Sequence, residues 1–214
     1  VEFVTQLLDA LGIERCVLAG NSFGGWVAWE TALAHPDRVG AMVLVDSAGY
    51  PLESQSVALD FRLAQMPLLS GLMESVLPRG VVESSLRNTY GDPSRVTPAL
   101  VDRYFELTLR EGNRAALAQR FAAGRHSQTP ERLRDLSITT LILWGGRDRL
   151  IPPQFAQRFH DDIAGSRLVM FADLGHVPHE EDPGATAAAA LAFLRETAQS
   201  ADGSVAASTS PRTP

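Results

Sequence analysis

Apolar and polar positions along the chain form two recurring patterns, one with helical spacing and one of short continuous apolar runs. Such short runs are typical of strands buried on both faces. The runs predict strands at 16–19, 42–45, 138–144 and 167–171, and helical spacing predicts helices at 1–11, 26–34 and 183–198. Because strands and helices alternate, we expect an α/β fold: a mostly parallel sheet with helices on both faces.

The middle of the chain departs from this alternation. Residues 51–132 contain no further strand pattern, and Pro and Gly divide them into helical stretches near 55–65, 98–110 and 114–123. After the last predicted helix the chain becomes small, polar and Pro-containing, which is typical of a disordered tail. We therefore divide the chain into a first core part, a helical insertion, a second core part and a tail, at 1–50, 51–132, 133–198 and 199–214.

Composition narrows the class of protein without naming an activity. The 214 residues are 45% apolar and 21% charged, and the net charge of −6 gives no electrostatic support for nucleic-acid binding. The apolar runs fall short of the ~20 residues that a membrane span needs. No signal-peptide pattern is visible, so we expect a cytoplasmic protein. Pro178 interrupts the histidine- and acid-rich segment 176–182, so no metal site is predicted.

The segment around Ser22 carries the main chemical signal. Ser22 lies between Gly20 and Gly24, after a predicted strand and before a predicted helix, which is the Gly-x-Ser-x-Gly nucleophile-elbow arrangement. We expect both glycines to be needed because a Cβ would clash in so tight a turn. The backbone N–H of Phe23 would then face a developing oxyanion. The alternative is a Gly-rich turn in which Ser22 only caps the helix.

A serine nucleophile needs a base and an acid that orients the base. Asp148 follows the strand at 138–144, and His176 follows the strand at 167–171. The loops after the carboxyl ends of parallel strands lie at one edge of a sheet, where ligands bind. The order Ser22, Asp148, His176 is the chain order of nucleophile, acid and base in α/β-hydrolases.

Each of these residues also has a simpler interpretation. Asp148 could pair with Arg147 or Arg149, and His176 could be an exposed loop residue without a role. Asp46, directly after the strand at 42–45, is an alternative acid. The three residue types in this order, each after a predicted strand or its loop, favour the catalytic interpretation.

Three segments of the chain resemble the signature segments of the α/β-hydrolase superfamily: GNSFGG at 20–25, WGGRDRLIPP at 144–153 and DLGHVPHEEDP at 173–183. A fourth segment, AMVLVDSAG at 41–49, resembles the core strand that follows the elbow in this family. The resemblance implies that residues 51–132 form a helical lid over the site. It also implies serine-dependent hydrolysis of a carboxylic ester or related small acyl compound, without a cofactor or metal.

Within the superfamily, the GNSFGG segment is similar to the elbow of carbon–carbon bond hydrolases of the meta-cleavage-product type. Many esterases share it, and Val177 stands where those carbon–carbon hydrolases usually have Trp. A carbon–carbon hydrolase is therefore the alternative activity. A binding protein that keeps the hydrolase shell, and an inactive fragment, are alternatives from other classes.

The resemblance also implies several strands before the elbow, whereas a single helix precedes it here. One loop of those strands supplies a second oxyanion donor in the family, and losing one donor typically costs ~10²–10³ in turnover. We therefore expect an N-terminally incomplete hydrolase whose strand through Val17 lies at an open sheet edge. We also expect this chain to aggregate or to show weak esterase activity.

Overall fold

A computed structural model describes residues 1–51, 77–122 and 130–208 of the chain. Its strands are β1 (Cys16–Asn21), β2 (Val39–Val45), β3 (Thr140–Gly145) and β4 (Arg167–Phe171). Its helices are α1 (Glu2–Ala10), α2 (Phe23–Ala34), α3 (Arg79–Thr89), α4 (Pro98–Leu109), α5 (Asn113–Ala122), α6 (Gln154–Asp162), α7 (Pro178–Glu181) and α8 (Pro183–Ser208). Short 3-10 helices occupy Pro93–Arg95 and Pro130–Asp135. The helix predicted near 55–65 lies outside the described residues.

The four described strands form one parallel sheet in the order β1-β2-β3-β4. Gly20 of β1 pairs with Leu44 of β2, and Leu44 pairs with Ile142 of β3, so the carboxyl ends of the strands lie along one edge. This arrangement confirms the predicted α/β fold class. It also brings the loops after all four strands, which carry the candidate site residues, to the same edge of the sheet.

Two apolar layers cover the faces of the sheet. On one face, Trp29 of α2 and Phe159 of α6 pack with Leu44, Ile142 and Trp144 of the strands. On the other face, Phe193 of α8 packs against alternate strand residues, Val43 and Leu143 among them. The central strands are buried on both faces, which explains why they read as continuous apolar runs in the sequence.

Helices α3 and α4 form a third apolar cluster of their own. Val82 and Leu86 of α3 and Val101 of α4 pack together, and Val177, next to His176, joins them. Residues 79–109 are thus mostly helical, and they contact the loop that carries His176. Whether the whole segment 51–132 acts as a lid stays a prediction.

Strand β1 lies at the outside of the described sheet, where it pairs with β2 alone. Val17 is 43% exposed there. Phe3 and Leu7 of α1, and Leu11 directly after it, are exposed large apolar side chains as well. This is the apolar edge that the sequence predicts, and unpaired apolar edges favour aggregation. The expected aggregation itself stays a prediction.

The last helix differs from its prediction. Asp182 caps α8, since its Oδ1 accepts from Ala185 N at 2.9 Å. The helix then continues to Ser208, whereas the sequence predicts disorder from residue 200. Alanines are the best helix formers and outweigh the cost of about 1 kcal/mol for Gly203.

Among the described residues, none of the helices is both long and apolar enough to span a membrane.

Candidate active site

The turn between β1 and α2 holds Ser22 in an unusual backbone conformation. Its φ is 56° and its ψ is −118°, a region that side-chain-bearing residues rarely adopt and that costs about 1–3 kcal/mol. Backbone hydrogen bonds hold it there: Ser22 N donates to Val45 O at 2.9 Å, and Ser22 O accepts from Ala48 N at 2.9 Å. A strained serine between a strand and a helix is the geometry of a nucleophile elbow.

The glycines of this turn are not equivalent. A Cβ on Gly20 would lie 2.6 Å from Gly25 N and closer still to Gly24 O, so Gly20 is required as predicted. A Cβ on Gly24 would meet no described atom within 4 Å, so the prediction that Gly24 prevents a clash is wrong. Gly25 takes that role, because a Cβ there would lie 2.7 Å from Ser47 Cβ. The close contact is between α2 and the loop after β2, which the local motif does not show.

Asp148 and His176 lie together at the carboxyl edge of the sheet. Asp148 Oδ2 is 2.7 Å from His176 Nδ1, and each residue is only 5% exposed. The other carboxylate oxygen, Oδ1, accepts from Leu150 N at 2.7 Å and from Ile151 N at 3.0 Å. This network fixes the carboxylate and orients the imidazole, which is the arrangement of an acid that holds a catalytic base.

The structure rejects the simpler pairing of Asp148 with its neighbouring arginines. Arg147 instead forms an ion pair with Asp173. Arg149 donates to the carbonyl oxygens of Tyr90, at 2.8 Å, and of Gly91, at 3.2 Å. These bonds join the loop after β3 to the corner that follows α3.

Asn21 connects the serine turn to the histidine loop. Its Nδ2 donates to His176 O at 2.9 Å and to Val45 O at 3.1 Å. Ser22 is thereby held next to the His176 backbone, although Ser22 Oγ forms no hydrogen bond with His176 in the described part of the chain. In unliganded hydrolases such bonds are often long and tighten only with substrate. Asn21 was not among the predicted site residues; its position directly before the serine was the available signal.

Glu181 is a second residue that sequence reasoning did not place in the site. It is 2% exposed, and its carboxylate accepts from Gly175 N at 2.6 Å and from Gly91 N at 2.9 Å. His176 N donates to Thr89 O at 2.8 Å beside it. The histidine loop is therefore bonded to the corner after α3. Nothing in the sequence distinguishes a buried glutamate from the other residues in a run of charged residues.

Asp46 lies behind the pair and does not take the place of the acid. Its carboxyl is fully buried, and its Oδ1 accepts from Gly145 N at 2.9 Å. Asp46, Asp148 and His176 each offer a polar side-chain atom, and these atoms lie within 4.8 Å of one another. Burial above all, and then the charge of Asp148, raises the pKa of Asp46 well above its usual value.

Phe23 begins α2 directly after Ser22. Its ring is 42% exposed and stacks on Trp26 with the centroids 5.4 Å apart. Its backbone N–H belongs to the first turn of a twelve-residue helix, where the helix dipole favours negative charge. The position fits the predicted oxyanion role, which stays a proposal.

The parallel sheet, the strained serine turn and the buried Asp–His pair are the features of an α/β-hydrolase. A family model described as "Alpha/beta hydrolase family" matches residues 1–189, and the chain belongs to this family.

Relatives of known name include carbon–carbon bond hydrolases and an esterase. The 2-hydroxy-6-oxo-6-phenylhexa-2,4-dienoate hydrolase of Comamonas testosteroni is 30% identical over 203 residues, covering 90% of this chain and 67% of the relative. A solved hydrolase from Pseudomonas aeruginosa PA01 is 28% identical with a TM-score of 0.73, covering 90% of this chain and 69% of that one. A thermophilic esterase from Thermogutta terrifontis has a TM-score of 0.72 at 23% identity, covering 91% and 70%, which shows the fold alone. The chain spans about two thirds of the length of its relatives.

Proposed function

We propose that the chain carries the site of a serine hydrolase that acts on a carboxylic ester or related small acyl compound. Ser22 is the nucleophile, His176 the base, Asp148 the acid that orients it, and Phe23 N–H an oxyanion donor. The observation that carries the proposal is the buried hydrogen bond of 2.7 Å between Asp148 Oδ2 and His176 Nδ1. A loop histidine without a role would not need a fully enclosed carboxylate partner.

The proposed reaction has two halves. Ser22 Oγ attacks the carbonyl carbon while His176 Nε2 takes the hydroxyl proton, and Phe23 N–H stabilises the oxyanion. The tetrahedral intermediate collapses to an acyl-enzyme, and His176 gives the proton to the leaving alcohol. Water then attacks the acyl group and gives a proton to His176. The second tetrahedral intermediate collapses, the acid is released, and His176 returns that proton to Ser22 Oγ. Asp148 stays ionised and stabilises the imidazolium, so the reaction needs no metal or cofactor.

Carbon–carbon bond hydrolysis is the second candidate. The relatives named as hydrolases of 2-hydroxy-6-oxo-6-phenylhexa-2,4-dienoate and of 2-hydroxymuconate semialdehyde support it, at 28–30% identity. Val177 favours the ester instead, because it stands where the carbon–carbon hydrolases usually have Trp. In this chain Val177 packs with Val82 and Leu86 of the helical insertion. A direct comparison of the two kinds of substrate therefore decides which bond is cleaved.

We also propose that the insertion forms a lid over the site. Support comes from the contacts of its corner at residues 89–91 with the loops of Asp148 and His176. A lid in this position would limit the shape of the substrate and exclude water during the reaction.

The decisive experiment combines labelling with turnover. The chain should react with a fluorophosphonate probe and should hydrolyse a p-nitrophenyl ester, slowly if the second oxyanion donor is missing, and Ser22→Ala and His176→Ala should each lower turnover by about 10⁴-fold or more. Ser166→Ala is a matched control, because Ser166 Oγ lies 3.0 Å from a histidine nitrogen, His160 Nδ1, but away from this edge. Faster turnover of 2-hydroxy-6-oxo-6-phenylhexa-2,4-dienoate than of the ester would favour the second candidate. Labelling that survives Ser22→Ala would refute the proposal.

A further inference from the structure

The surroundings of Asp46 are unfavourable for an ionised carboxylate. It is fully buried, and its Oδ2 has no hydrogen-bond donor among the described residues. A buried charge without a partner costs several kcal/mol, so an unpaired oxygen of this kind needs an explanation. Asp46 also has a positive φ of 43°, a strain that it shares only with Ser22 among the described residues other than glycine.

The groups that face Asp46 come from three elements. Gly145 N, at the end of β3, donates to Oδ1, while Asp148 from the next loop and Glu181 from α7 present negative charge. His176 lies within the same cluster but directs its Nδ1 at Asp148. Two carboxylates so close together inside the protein do not both ionise readily, and the more deeply enclosed one retains a proton.

Asp148 has room for one more hydrogen bond. Its Oδ1 accepts from two backbone N–H groups, and its Oδ2 accepts only from His176 among the described residues. A carboxylate has about four acceptor positions. A proton on Asp46 Oδ2 would therefore satisfy both the orphaned oxygen and the remaining position on Asp148.

We propose that Asp46 is a neutral carboxylic acid that donates a hydrogen bond to the Asp148 carboxylate and thereby positions the acid of the Asp148–His176 pair. Asp46 is a positioning residue and does not contact substrate. Its proton disperses the charge of Asp148 without cancelling it. Burial and the negative charge of Asp148 raise the pKa of Asp46, in agreement with this proton assignment.

The proton assignment has a consequence that does not depend on catalysis. Above the usual carboxyl pKa of ~3.9, the unfolded chain has lost the proton of Asp46 while the folded chain still holds it. Folding then takes up a proton, so stability falls as pH rises until the raised pKa is reached. The unfolding equilibrium constant should increase about tenfold per pH unit from this one residue.

Asp46→Asn tests this directly, because its amide keeps both an acceptor for Gly145 N and a donor for Asp148 but cannot titrate. Urea unfolding of the 214-residue chain at a series of pH values above ~5 should show the wild-type equilibrium constant rising about tenfold per pH unit relative to Asp46→Asn, until Asp46 ionises in the folded chain as well. Asp37→Asn, which removes an exposed carboxylate, is the matched control. Parallel curves for wild type and Asp46→Asn would overturn the assignment.

A kinetic comparison tests the positioning role, and this part rests on the proposed serine hydrolysis. Asp46→Ala lacks the donor and should have a kcat about tenfold below that of Asp46→Asn, the value for one lost hydrogen bond. As pH rises and Asp46 ionises, the wild type should lose probe labelling, and Asp46→Asn should not. Equal kcat for the two variants would refute the role. Wild-type protein that fails to label would refute the proposed function but leave the unfolding test intact.

Discussion

Replacing Gly20 and Gly24 separately gives a sharp test of the elbow, because the Gly-x-Ser-x-Gly motif treats them alike and the structure does not. An Ala Cβ at position 20 would lie 2.6 Å from Gly25 N, whereas real Cβ atoms essentially never come within 3.0 Å of another heavy atom. Both obstructing groups are backbone, so no side chain can rotate away. The start of α2 would have to move by about 0.4 Å, the difference between these two distances, and by more to clear Gly24 O.

The size of the effect follows from that displacement. Overpacking of this kind costs about 1–3 kcal/mol of unfolding free energy. A misplacement approaching 1 Å at a nucleophile costs about 10²-fold in rate. Gly24→Ala, in contrast, adds a methyl group in open space at the second residue of α2, where Ala is about 0.5–1 kcal/mol better than Gly. We expect Gly20→Ala to lose both stability and activity, and Gly24→Ala to be neutral or slightly stabilising.

Urea unfolding and the rate of fluorophosphonate labelling measure the two effects independently. The steric explanation would be refuted if Gly20→Ala matched the wild type in both, or if Gly24→Ala lost as much stability as Gly20→Ala. Loss of labelling in Gly24→Ala without loss of stability would also contradict it, because the added methyl group would then have to obstruct the approach to Ser22.

Two further predictions concern hydrogen bonds around the site. Asn21→Ala removes the donations to His176 O and Val45 O, so it should cost about 1–3 kcal/mol of unfolding free energy and should slow probe labelling. Asn113→Ala, which removes an exposed donation to Leu107 O, should change neither property appreciably. An equal response of the two variants would contradict the role of Asn21. The chain has three tyrosines, and burial raises the pKa of all of them, that of Tyr90 to about 12, with hydrogen bonds to Glu180 or Asp162 adding to the effect. Because the unfolded chain loses these protons near pH ~10 and the folded chain does not, stability should fall as pH rises above that value. Tyrosinate absorbance should appear only near or above pH ~12 or on unfolding. An ordinary titration near pH ~10 in a folded protein would contradict this prediction.

The sequence predicted those features of the molecule that depend on residues close to one another along the chain. The central strands β2 and β3 were recognisable because they are buried on both faces and read as apolar runs. Strand β4 lies at the edge of the described sheet and is only partly buried, yet it also reads as an apolar run. Asp148 and His176 were recognisable because each follows such a strand. The common direction of the strands brings both loops to one edge of the sheet, where Asp148 Oδ2 and His176 Nδ1 lie 2.7 Å apart.

The parts that could not be predicted depend on contacts between distant segments. Gly25 was passed over because its neighbour, Ser47, lies on another loop. Glu181 stands in a run of charged residues, yet it is buried against backbone amides of Gly91 and Gly175. The end of α8 was misjudged because small polar residues indicate disorder by composition, while the alanines among them continue a helix that is already formed.

The contacts of the corner after α3 change what the helical insertion does in this fold. Thr89 O accepts from His176 N, Gly91 N donates to Glu181, and Arg149 donates to Tyr90 O. One short stretch is thus bonded both to the loop of the acid and to the loop of the base. A segment that only opened and closed over substrate would not need such bonds, because each would have to break on every opening. The corner at 89–91 therefore helps to hold Asp148 and His176 together, and it is part of the framework of the site.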